Sequence, residues 1–266
     1  MRHLSKLFVV VAIASSVNLG SVPISWSSTD EPDQPPNQVL EWNQILVNTL
    51  IATNTPNSSS QRLGAIVHTA IFDAYNGIER RYTPIFVHSS APPGASRRAA
   101  VIAAAYHTLF VLFPSVKADL DASYAASLAA LSDDEDDDGG KSRERGIAWG
   151  TEVANAVLAW RANDGFSTPP PAFRGGTAVG QWRPTPPAFA SMSTQSLAFT
   201  KPFVVASREQ FRPAPPRPLD SPTYVEDFNT VKDLGRASGS TRNGEQTLLA
   251  PFWDCLLYTS PSPRDS

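Results

Sequence analysis

The sequence has one cysteine, Cys255, in 266 residues, so no disulfide can form within the chain and its stability must come from packing. Charge is sparse as well. Asp, Glu, Lys and Arg make up 18% of the residues and the formal net charge is -3, which leaves no basic stripe to track a phosphodiester backbone. Nucleic acid is therefore excluded as a partner. The chain contains no HExxH, CxxC, Walker loop or GxSxG elbow, so the usual zinc, phosphate-loop and serine-hydrolase readings have no anchor. Internal repeats and the alternating polar–apolar pattern of strands are also missing. The N-terminal apolar run, Leu7 to Ala14, is far short of the roughly 20 residues that a membrane-spanning helix needs.

That short run follows Arg2, His3 and Lys6 and precedes Ser15 and Ser16, the layout of an export signal. The expectation is a signal peptide over residues 1–28 and a secreted or periplasmic protein, with no membrane contact once the signal is removed. The remainder is long enough to bury a core without disulfides.

The body reads as helices. Val39, Trp42, Leu46 and Leu50 fall at three- and four-residue steps, and Leu63, Val67, Ala70, Ala74 and Ile78 repeat the pattern over 60–78, with Ser58 and Gln61 as capping candidates. Ser96 opens an alanine-rich stretch that Pro114 stops, and Ser115 is the expected cap of a helix carrying Val116, Leu120, Tyr124, Leu128 and Leu131 on one face. Residues 141–163 place Ile147, Ala154, Val157 and Trp160 inward and end at Asp164-Gly165. Asp133 to Asp138 lack the alternating ligands of an EF-hand and read as a solvated interhelical loop.

The texture changes over 166–222, where many of the 24 prolines gather and regular helix is impossible. Phe173, Trp182, Phe189, Phe203 and Phe211 make this stretch too apolar for a free linker, so it is expected to wrap against the helices with its aromatic rings buried. Ser221-Pro222 starts a further helix with Tyr224, Phe228, Val231 and Leu234 on one side, and a last one starts near Asn243 and Gln246. The class is all-α, an antiparallel bundle over 36–165 with a proline-rich segment packed on it.

Chemistry is harder to find. His68 and Asp73 stand five apart on one helix and so do not face each other, and His107 reads as a core or groove residue with a backbone partner. Gly175-Gly176 and Gly180 read as a turn. Arg183, Arg208, Arg212 and Arg217 suit oxyanions, but they equally suit holding the loop to acidic helix surfaces.

The order of several short motifs resembles the bacterial-type vanadium-dependent haloperoxidases, relatives of the type 2 phosphatidic acid phosphatases. They are Asp164-Gly165-Phe166, Gly180-Gln181-Trp182-Arg183-Pro184, Lys201-Pro202-Phe203, Gln210-Phe211-Arg212-Pro213, Val231-Lys232-Asp233-Leu234-Gly235, and Arg242 with Glu245-Gln246 before Phe252-Trp253. The earlier Trp42-Asn43 and Ala70-Ile71-Phe72-Asp73-Ala74-Tyr75 are similar to the opening bundle of that family.

The resemblance implies vanadate as cofactor in the intact parent, with hydrogen peroxide, halide and an organic acceptor as its partners. The family holds its oxyanion with a lysine, two arginines, a Pro-Ser-Gly-His run and a final histidine. None of these is assigned here: they are expected beyond Asp254, and Ser238-Gly239-Ser240 has no histidine. Residues 223–254 would then begin the catalytic half. Cys255 to Asp265 has no periodicity, and its back-translation resembles the end of a transposase-based library adapter, so 255–266 are expected to be non-native and this chain to be an inactive fragment. Alternatives are a soluble acid phosphatase of the same superfamily and a non-catalytic secreted helical binding module.

Overall fold

A computed structural model of the chain describes residues 37–131, 140–168, 170–171, 173–192 and 194–253. The expected signal at 1–28, the acidic run Asp133–Asp138 and the tail at 255–266 lie outside the described residues. Among the described residues there are seven α-helices and no strand: α1 Gln38–Ala52, α2 Asn57–Glu79, α3 Arg97–Leu112, α4 Lys117–Ala129, α5 Lys141–Ala162, α6 Pro222–Leu234 and α7 Gly244–Trp253. No single described helix is long and apolar enough to cross a membrane.

Local chemistry sets most of the boundaries. The Asn37 side chain accepts the N–H groups of Val39 and Leu40, and Ser96 Oγ accepts that of Ala99, so both helices begin where an oxygen satisfies free amides. Phe113 precedes a proline, is held out of the helical region at φ -131° and ψ 62°, and ends α3. Two expected caps differ. The residue before α2 is Pro56, which has no side-chain acceptor, and Ser115 is drawn into a 3-10 turn over Pro114–Val116, so that Val116 precedes α4.

Pairs of contacting residues fix the directions of the first five helices. Asn43 meets His68 and Leu46 lies by Gly64, so α1 and α2 run antiparallel. Trp149 lies against Gly77, and Arg62 reaches the carbonyl of Arg161, so α2 and α5 do too. Tyr106 bonds Asp121, and Phe110 lies under Lys117, which makes α3 and α4 antiparallel. α3 and α5 run side by side in the same direction, with Gly146 beside Ser96 and Gly150 beside Ala100.

α3 is the hub of this bundle and packs against α1, α2, α4 and α5. Its alanines make this possible, because Ala99, Ala100, Ala103, Ala104 and Ala105 are all buried and small enough for helices to approach on several sides. One apolar cluster joins Trp42, Leu46, Val67, Ile102, Leu109 and Leu120; a second joins Ile66, Ala70, Ala100, Trp149, Val153 and Val157.

The proline-rich stretch departs from the expectation of buried aromatics. Phe203 packs on the bundle, its ring 5.4 Å from that of Trp160 at 84°. Phe211 is 76% exposed, and Phe173, Trp182 and Phe189 are also exposed. Their contacts are local: Phe173 tilts against Trp182, and Gly176 N–H bonds the Trp182 carbonyl in a glycine turn. Only the part of the stretch that finds main-chain partners on the bundle brings its ring inward. Likewise α6 and α7 form as the periodicity predicts, with the caps Ser221 and the reciprocal Asn243–Gln246 pair, but neither buries a residue.

Candidate functional site

Each described histidine has a specific setting. His68 on α2 is half-buried and its Nε2 lies 3.0 Å from Asn43 Oδ1 on α1. Because Oδ1 can only accept, Nε2 carries the proton, and the neutral ring presents an unprotonated Nδ1. Burial lowers the pKa of His68 below its ordinary value, which favours that neutral form. His107 on α3 meets the side chain of Asn155 at 2.8 Å rather than a backbone group, and His88 is exposed in the loop after α2.

Asp73 does not face His68. Its buried carboxylate accepts the backbone N–H groups of Ile85, Phe86 and Val87, each at 2.8 Å, and so folds the loop after α2 back onto the helix. Asn76 completes the fold-back by bonding both the N–H and the carbonyl of Tyr82. A further polar group lies between α3 and α4, where Tyr106 and Lys117 both donate to Asp121.

The strongest electrostatic feature is one that the sequence pattern had marked only as a helix stop. Asp164, 1% exposed, receives Arg62 Nε at 2.7 Å and Arg161 Nη2 at 2.7 Å, and its Oδ1 accepts the N–H of Phe166 at 3.0 Å. Burial alone would raise its pKa, but the hydrogen bonds from Arg62 and Phe166 and the two guanidinium charges outweigh that and hold it below its ordinary value. The same group fastens the proline-rich stretch. Arg161 donates to the carbonyls of Lys201 and Pro202, Lys201 N–H bonds the Asp164 carbonyl at 2.7 Å, and the Phe203 ring lies 3.9 Å from the Arg161 guanidinium. An aromatic row continues from it, with Phe203 edge-on to Trp160 and Trp160 stacked on Phe86.

Held this way, Phe203 and Val204 form one wall of a cleft of about 560 Å³, whose other walls come from Val39 on α1, Ile85, and the α2 residues His68, Phe72 and Tyr75. The lining is apolar and aromatic apart from His68, Thr69 and the Tyr75 hydroxyl.

An oxyanion cradle needs several cationic donors converging with a histidine. Arg62 and Arg161 converge, but on Asp164, which occupies them both. Arg208 and Arg212 pair with Glu209 beside them, and Arg217 bonds Thr223, so these arginines serve local contacts rather than acidic helix surfaces. Ser240 and Arg242 cap the C-terminal end of α6 through the Leu234 carbonyl. Among the described residues no three His, Cys, Asp or Glu side chains group as metal ligands. The described residues thus do not fit vanadate.

No protein-family model and no curated protein matches the sequence. Among solved structures, a bacterial vanadium-dependent iodoperoxidase matches with a TM-score of 0.63 at 21% identity, covering 85% of this chain and 57% of that one. The chain thus spans little more than half the length of the structure it matches, and over that span it has the all-helical fold of the vanadium-dependent haloperoxidase type.

Proposed function

We propose that this chain is the helical body of an exported vanadium-dependent haloperoxidase, an enzyme that in its intact form uses peroxide to oxidise halide. The observation that carries this reading is the fold likeness over 85% of the chain to an iodoperoxidase of which only 57% is matched. The site geometry agrees with it, because Arg62 and Arg161 share Asp164, and Arg208 and Arg212 share Glu209, so neither pair is free to hold an oxyanion. In this reading the oxyanion-holding lysine, arginines and histidines belong to sequence beyond Asp254, and vanadate, peroxide, halide and an organic acceptor are partners of the intact protein. Residues 1–28 act as the export signal, and mass spectrometry of secreted material would lack peptides from Arg2 to Ala14.

The deciding experiment is to sequence the transcript past codon 254 and assay the full product for bromide or iodide oxidation by peroxide and for phosphate-ester hydrolysis. Vanadate-dependent halide oxidation is the expected result. Phosphatase activity alone would move the protein to the phosphatase branch, and a stop codon at 255 would make it a non-catalytic helical module.

A further inference from the structure

We infer that the cleft between α1, α2 and the Phe203–Val204 strap is a binding site for a small, neutral, hydroxyl-bearing aromatic molecule. This inference is independent of the oxyanion chemistry proposed above. Three observations meet here. The cleft, at about 560 Å³, is of the size that small-molecule sites have. Phe72, Tyr75, Ile85, Phe203 and Val204 offer flat and branched apolar surface, which suits a ring system, and no charged side chain lines the cleft. The third is His68. Its Nε2–H is committed to Asn43, so the cleft's one imidazole offers the acceptor Nδ1, which has no partner among the described residues.

An acceptor in an apolar cleft selects a ligand with an O–H donor on an apolar body. A ligand without the donor leaves Nδ1 desolvated and unpaired, and an anionic ligand has no cation to meet it there. The strap adds definition to the site, because Arg161 and Asp164 fix the main chain of Lys201 and Pro202 and so set where Phe203 stands. Two rings fill the space better than one, so a bicyclic phenol is the appropriate probe.

The test is calorimetric titration of the 266-residue chain with 2-naphthol and with 2-methoxynaphthalene, which keeps the rings but cannot donate. Saturable one-to-one binding of 2-naphthol is expected, about tenfold tighter than the methyl ether, as one neutral hydrogen bond would supply. His68→Phe should bring the two compounds to equal affinity, weakening 2-naphthol, which loses its acceptor, and tightening the ether, which no longer leaves Nδ1 unpaired. Phe203→Ala should weaken both. Far-UV circular dichroism of each variant establishes that the helices persist, and His68→Gln serves if His68→Phe loses them. The inference is overturned if the folded wild-type chain shows no saturable binding, if both compounds bind equally and His68 variants change nothing, or if the chain instead self-associates and Phe203→Ala abolishes that association, which would assign the cleft to a second copy.

Discussion

Gly150 on α5 lies so close to Ala100 on α3 that a β-carbon at position 150 would stand 2.2 Å from the Ala100 carbonyl oxygen. One turn earlier, a β-carbon on Gly146 would stand 2.4 Å from the Ser96 carbonyl. Glycine ordinarily weakens a helix by about 1 kcal/mol relative to alanine, so two of them within one turn need a compensating contact. That contact is the close approach of α3 and α5, which brings the alanine face of one helix onto the backbone of the other.

Gly150→Ala should therefore destabilise the chain by about 2 kcal/mol despite its better helix propensity, because the obstacle is backbone and cannot swing aside. Gly64→Ala is the matched opposite. There the added carbon would sit 3.9 Å from Leu46 Cδ2, an ordinary contact, so the substitution should stabilise by up to about 1 kcal/mol. Urea unfolding of both variants separates the two outcomes, and a Gly150→Ala chain as stable as wild type would refute the close-packing account.

The helices were legible in the sequence because their signals are local. Ser96, Pro114, Ser221-Pro222 and the Asn243–Gln246 pair act within a few residues, and apolar spacing marks the inward faces of α1 to α5. The settings of the functional side chains were not legible, because their partners are remote. Arg62 is 102 positions from Asp164 and Asn43 is 25 from His68, and periodicity within one helix says nothing about which residue of another will meet it. Composition drew attention to the aromatics of the proline-rich stretch, yet it could not single out Phe203, whose burial depends on the Arg161–Asp164 tether. Gly146 and Gly150 carried no apolar signal at all.

Removing the negative charge at that tether should be costly. Asp164→Asn leaves Arg161, 1% exposed, and Arg62 without their counter-charge, and breaking a buried pair in this way costs about 3–5 kcal/mol. The pH dependence follows from the direction of the shift. A carboxyl whose folded pKa is depressed contributes its stabilisation in full above its unfolded pKa of about 3.9, and loses it as pH falls through the lower folded value. Acid unfolding followed by circular dichroism should show a shallower loss of stability in that window for Asp164→Asn than for wild type. Parallel curves would mean that the carboxylate is not the charge that holds Arg161.

Two buried tryptophans offer a contrast. Trp149 Nε1 donates to the Ala74 carbonyl at 2.9 Å, whereas Trp42 Nε1 is buried without a partner among the described residues. Trp149→Phe loses packing and a buried hydrogen bond; Trp42→Phe loses similar packing but also removes an unsatisfied donor. The first should cost more than the second by about 1–2 kcal/mol in denaturant unfolding. Equal costs would indicate that Trp42 Nε1 is satisfied in solution.

The chain as it stands should bind vanadate weakly if at all and should not oxidise halide. An oxyanion held in a protein site draws on several charge-assisted hydrogen bonds, each contributing roughly 1.5–3 kcal/mol. Of the described arginines that approach one another, Arg62 and Arg161 spend their donors on Asp164 and on the carbonyls of residues 161, 201 and 202. An incoming oxyanion would have to displace a buried carboxylate that is covalently part of the same chain, and so holds its place at high effective concentration. Arg208 and Arg212 share Glu209 on an exposed loop, where ion pairs contribute about 0–1 kcal/mol and cannot preorganise a cradle. His68 and His107 are bonded to Asn43 and Asn155 and contact neither arginine pair. Titration with orthovanadate followed by vanadium NMR, with iodide oxidation assayed in parallel, should show no saturable binding and no turnover; a bound signal that Arg161→Lys weakens would place an oxyanion site at the tether itself.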